Sequence, residues 1–146
     1  MKQKNGMKTM ERKKQKIFDD YAAYLKKNKI TYHDNQGFSV RFDLKNAGVT
    51  FIDVIDTYDG RLEVFDYIGN CNTGVRAANR LVKTFKEHYP GYDIWADKYT
   101  TFEIDVAQKF EFTTTEDLHE RVCRLAEIVD EGFMIGKEIL GESFYR

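Results

Sequence analysis

The chain has 146 residues, 42% of them hydrophobic and 14% aromatic, and a formal net charge of −1. That length fits one domain, and chains of this size bury roughly 68–70% of their unfolded surface, so a core forms without disulfide or metal staples. One proline, ten glycines and no run near the ~18 apolar residues of a membrane helix argue against low-complexity disorder and against a helical membrane protein.

The charge is uneven. Lys2, Lys4, Lys8, Arg12, Lys13, Lys14 and Lys16 against Glu11 give residues 1–16 a charge of +6, which leaves −7 on the rest. Residues 1–10 read as a disordered basic N-terminal arm and residues 11–146 as a single α+β domain. No secretory signal is visible behind the polar start. Cys71 and Cys123 lack a disulfide or zinc spacing, which points to reduced thiols in a cytoplasmic protein.

Residues 11–27 place Ile17, Phe18, Tyr21, Ala22, Tyr24 and Leu25 at helical spacing. Asn35-Gln36-Gly37 marks a turn, after which Phe38, Val40, Phe42 and Leu44 alternate with polar residues as in a half-exposed strand. Residues 49–68 form two β-rich runs about Asp59-Gly60, a hairpin. Residues 69–72 read as a loop, with Thr73 or Asn72 capping a helix that runs to about His88. Tyr92, Ile94 and Ala96 start a fourth strand, and Phe102, Ile104, Val106 and Phe110 a fifth. Thr113 with Glu116 has the spacing of a capping box before a last helix, whose far end Gly132 and Gly136 weaken by ~1 kcal/mol each relative to alanine.

The expected order is α-βββ-α-ββ-α: a five-stranded, mostly antiparallel sheet with three helices. The expected core holds Phe18, Leu25, Phe42, Phe51, Ile55, Val64, Leu81, Phe85, Ile104, Leu118, Leu125 and Val129.

Candidate chemistry is sparse. A two-residue turn at Asp59-Gly60 sets Asp53 opposite Asp66, a carboxylate pair suited to acid-base work or a cation. A four-residue loop sets Asp53 opposite Val64 and Asp56 opposite Arg61, and the pair vanishes. The hairpin acids do not follow the every-second-position pattern of a calcium loop. His33, His88 and His119 are read as offering no local metal-ligand spacing. Cys71 sits near a helix start, which lowers a thiol pKa, yet no base accompanies it. Gly69 and Gly74 lack the Lys-Ser/Thr pair of a phosphate loop. No catalytic residue, cofactor or metal is indicated, and the chain is not expected to be an enzyme. Tyr58, Tyr67, Tyr92, Trp95 and Tyr99 are the candidate partner-binding residues, because amphipathic aromatics favour interfaces.

The element order over residues 11–140, together with the closing segment TTTEDLHERVCRLAEIVDEGF, resembles the type III secretion chaperone-like fold. That fold includes secretion chaperones and small bacterial proteins described as sensory-transduction regulators. The resemblance implies a non-enzymatic dimer that binds another protein. No functional residue is carried over, and the basic arm departs from the pattern. The expected function is therefore non-catalytic protein binding, chaperone- or regulator-like, by a homodimer. Nucleic acid is a partner only through residues 1–16, and the membrane is none. The alternative is a small inhibitor from a mobile element or phage, anti-CRISPR-like, whose acidic surface blocks a nucleic-acid-processing enzyme.

Overall fold

In the computed structural model, which describes residues 2–146 and side chains from residue 11 onward, helix α1 spans Lys2–Lys27. Phe18, Tyr21, Ala22 and Leu25 recur every three or four residues and turn one face to the core, with Tyr21 and Leu25 wholly buried. The helix bounds begin at Lys2, where the sequence places a disordered arm over residues 1–10. The side chains of that segment lie outside the described residues.

Four strands follow: β1 (Tyr32–His33), β2 (Phe38–Leu44), β3 (Gly48–Asp56) and β4 (Leu62–Cys71). Helix α2 (Val75–His88) leads to the hairpin of β5 (Asp93–Lys98) and β6 (Phe102–Phe110). Helix α3 (Thr115–Leu140) and a single 3-10 turn (Gly141–Ser143) lead to β7 (Phe144–Tyr145). The class is α+β, as expected from the sequence, with three helices. The sheet has seven strands instead of five, in the order β1-β2-β3-β4-β6-β5 with β7 on β4, and every pairing is antiparallel. The two extra strands are two residues long, too short for an alternating pattern to show.

The register corrects the hairpin. Val54 pairs with Val64 and Asp56 with Leu62, so residues 57–61 form the loop. Tyr58 and Gly60 both take positive φ there (63° and 91°). This is neither the two-residue turn nor the four-residue loop. Thr50, Ile52 and Val54 face the core because they pair with Phe42, Val40 and Phe38. Phe51 and Ile55, expected in the core, lie on the opposite face and are 39% and 38% exposed. β3 carries apolar residues on both faces, so alternation alone does not choose between them. Phe18 and Phe42 are only partly buried, while Leu25, Val64, Leu81, Phe85, Ile104, Leu118, Leu125 and Val129 are core residues as expected.

β4 runs through residues 69–71, which the sequence reads as a loop, with a bulge between Tyr67 and Gly69. The first residue before α2 is Gly74 at φ 102°, with no side-chain cap, in place of Asn72 or Thr73. At α3 the cap is Thr114, one residue later than expected, whose Oγ1 accepts from the Asp117 amide at 3.0 Å. Gly69 and Gly136 face one object, the buried Phe144 ring. A Cβ on either glycine would collide with it. Among the described residues, no helix is long and apolar enough to cross a membrane.

Candidate protein-binding face

All three helices pack on one face of the sheet. α3 crosses β4, β3 and β2, α2 covers β5 and β6, and α1 lies beside α3. The other face carries no element of the described chain. Strand alternation sends Phe51, Asp53 and Ile55 of β3 to it, with Glu63, Phe65 and Tyr67 of β4. Asp93, Trp95 and Asp97 of β5 join Glu103 and Asp105 of β6 on the same side. The result is a partly exposed aromatic and aliphatic strip bordered by carboxylates, with Arg41 and Lys109 as basic residues on it.

The five aromatic candidates divide. Tyr67 and Trp95 flank Asp105, each directly opposite it in the register, and Trp95 packs 6.0 Å from the Phe65 ring. Tyr99, 66% exposed, stands at the β5–β6 turn beside them. Tyr58, 88% exposed, projects at the opposite end of the sheet, near Lys14 of α1. Tyr92 lies on the helix side, beside Arg121, Arg124 and Glu127 of α3, and burial raises its pKa. The aromatics missed by the sequence reading are Phe51 and Phe65. Treating Phe51 as core hid it, although its neighbours Ile52 and Val54 were the other option for the buried face.

A groove of about 560 Å³ continues this face around the end of the sheet toward α1. Phe18, Phe38 and Ile55 supply its apolar wall, and Asp19, Asp34 and Asp56 are among its acids. Asp56, one of those acids, pairs with Lys14 of α1.

The carboxylate pair of the hairpin does not form. Asp53 stands opposite Phe65 on the open face, where partial burial raises its pKa. Asp66 faces inward, hydrogen-bonded by Thr50 and paired with Arg146 at 3.4 Å. Cys71 is not in a loop: it is buried in β4, with its sulfur 3.1 Å from Thr73 Oγ1.

A histidine–cysteine contact does exist. His119 and Cys123, four residues apart on α3, place Nε2 3.4 Å from Sγ, while Nδ1 lies 2.9 Å from the Tyr21 hydroxyl. The four-residue spacing was the legible signal, since it sets both side chains on one helix face. Burial lowers the His119 pKa, and burial with Glu127 and Glu120 raises that of Cys123. The pair therefore rests as neutral imidazole and neutral thiol, the reverse of an activated thiolate.

No family model matches the chain, and no curated protein matches it in sequence. Among solved structures it is similar to YbjN of E. coli, a proposed transcription regulator, with a TM-score of 0.62 and 12% identity. The match covers 83% of this chain and 91% of YbjN, so the two share a fold along most of their length.

Proposed function

We propose that the chain is a non-catalytic, regulator-like binding module of the cytoplasm, which holds a basic, partly apolar polypeptide segment against its open sheet face. The observation that carries this is the pairing of Phe51, Ile55, Phe65 and Trp95 with flanking carboxylates on a face that no helix covers. Apolar side chains supply contact area, and the acids select positive charge and speed encounter. The neutral His119–Cys123 pair supports a role without bond-making.

Fluorescence anisotropy with a labelled peptide of alternating Lys and Leu tests this reading. Binding should weaken as salt rises. It should fall by about tenfold or more in Phe51→Ser/Ile55→Ser, as loss of two contact side chains requires. Binding unaffected by both would contradict it. A second copy of the chain is a further candidate partner: light scattering at twice the 17.2 kDa chain mass would make the module a homodimer.

The acidic row of Asp93, Asp97 and Glu103 also favours a second reading, an anti-CRISPR-like inhibitor that occupies a nucleic-acid channel. That reading expects tight binding to a nucleic-acid-processing enzyme and displacement of its nucleic acid, with no affinity for the short peptide.

A further inference from the structure

Three carboxylates converge at the end of the β5–β6 hairpin. Asp97 stands opposite Glu103 in the register, and Asp105 follows Glu103 by two residues on the same face. One oxygen from each lies within 4.8 Å of the others. Two observations separate this cluster from ordinary surface acids. Asp105 is 1% exposed, lodged between Tyr67 and Trp95, and as a carboxylate it accepts no hydrogen bond: the polar groups that face it are the carboxylates of Asp97 and Glu103. A buried, unpartnered carboxylate beside two others is costly unless something neutralises it. Trp95 Nε1–H donates to Asp97 Oδ2 at 3.0 Å, which orients that carboxylate and leaves its other oxygen available.

We propose that Asp97, Glu103 and Asp105 form a binding site for a hard divalent cation, with Ca²⁺ the preferred ion. All three donors are carboxylate oxygens, the ligands of hard ions. Mg²⁺ sheds its waters reluctantly and usually keeps only one or two carboxylates, whereas Ca²⁺ accepts several carboxylates in flexible geometry, so three converging carboxylates suit Ca²⁺. Asp105 supplies the buried ligand and the partly exposed Asp97 and Glu103 the outer ones, leaving water to complete the shell. Burial and the two neighbouring carboxylates hold the Asp105 pKa far above the usual range, as expected of a group that lacks a counter-charge. The cluster lies on the open face, so a bound cation would neutralise carboxylates that border the proposed polypeptide strip, but its binding does not require that polypeptide.

Trp95 is the single tryptophan of the chain, so it serves as the reporter. Titration of the full-length protein with Tb³⁺, excited through Trp95, should give saturable emission that Ca²⁺ displaces more effectively than Mg²⁺. Asp105→Asn and Glu103→Gln should each weaken the apparent affinity by roughly tenfold or more, a typical loss at metal sites. Asp59→Asn, in the distant hairpin loop, should leave it unchanged. Ca²⁺ should also raise the melting temperature of the unaltered protein but not of Asp105→Asn. Emission that is absent, or equal in Asp105→Asn, overturns the site. A higher melting temperature of Asp105→Asn without any Ca²⁺ response in the unaltered protein also overturns it, and assigns a shared proton to the cluster.

Discussion

Arg146 reaches into the gap where β3 and β4 part company and sets its guanidinium 3.4 Å from the Asp66 carboxylate. β3 pairs with β4 only over Asp53–Asp56, and β7 takes over the pairing at Asn70 and Cys71. Arg146 spans the interval between them. It donates to Thr50 Oγ1 at 2.8 Å on β3 and to the Tyr67 carbonyl at 3.1 Å on β4, and it lies 4.1 Å over the Tyr67 ring. Both charged side chains are nearly inaccessible, so the pair sits where a lost partner is expensive.

Arg146→Met should therefore destabilise the protein by about 3–5 kcal/mol, because it leaves Asp66 buried without its counter-charge. Adding Asp66→Asn should recover much of that loss. Urea unfolding of the two single variants and the double variant gives the coupling energy directly. Strict additivity would show that the pair contributes no coupling.

The same carboxylate predicts a pH dependence. Burial raises the Asp66 pKa to about 6, with Thr50, Arg146 and the Tyr67 backbone opposing the rise and Asp53 adding to it. In the unfolded chain the group releases its proton near about pH 3.9. Between these values the folded form holds a proton that the unfolded form has lost, so stability falls as pH rises through the window and levels off above it. The gap corresponds to roughly 3 kcal/mol. The stability difference between the unaltered protein and Asp66→Asn, followed from about pH 4 to about pH 7, should show this slope. A difference that does not vary with pH would contradict the raised value.

Gly136→Ala should cost about 1–3 kcal/mol although alanine is the better helix former, because the new methyl meets the Phe144 ring. Phe144→Ala should cost about 3–5 kcal/mol by emptying the same space. In the double variant the two losses should sum to less than their separate values, and thermal unfolding reads all three.

Cys123 should behave as a poor nucleophile. Its rate with iodoacetamide at neutral pH should not exceed that of an ordinary free thiol, and His119→Ala should not slow it. Fast modification that depends on His119 would restore a catalytic reading.

Much of this fold was legible in the sequence where one face alone is apolar. FSVRFDL alternates cleanly, and β2 spans those residues. The repeat from Leu118 to Val129 likewise marks the buried face of α3. Legibility failed where the pattern is two-sided. FIDVI offers apolar residues to both faces, and only the cross-strand partners Phe38 and Val40 select Ile52 and Val54. The weakening glycines of α3 acquire a reason only from the packing: Gly132 lies against Ile68 of β4, and Gly136 against Phe144, which follows α3 in the chain but folds back between α3 and β4. The cation cluster needs the β5–β6 register, which sets Asp97 against Glu103. The four-residue spacing of His119 and Cys123 is legible in the sequence, but a metal or disulfide spacing pattern does not single it out.

The proposed binding of a basic polypeptide to the open sheet face has a direct test. Backbone amide NMR shifts on adding the Lys-Leu peptide measure it most directly. The largest changes should fall on β3, β4 and β5 around Phe51, Ile55, Phe65 and Trp95, with α2 and α3 nearly unmoved. Changes centred on the helices, or none at a peptide excess that saturates the anisotropy signal, would contradict it.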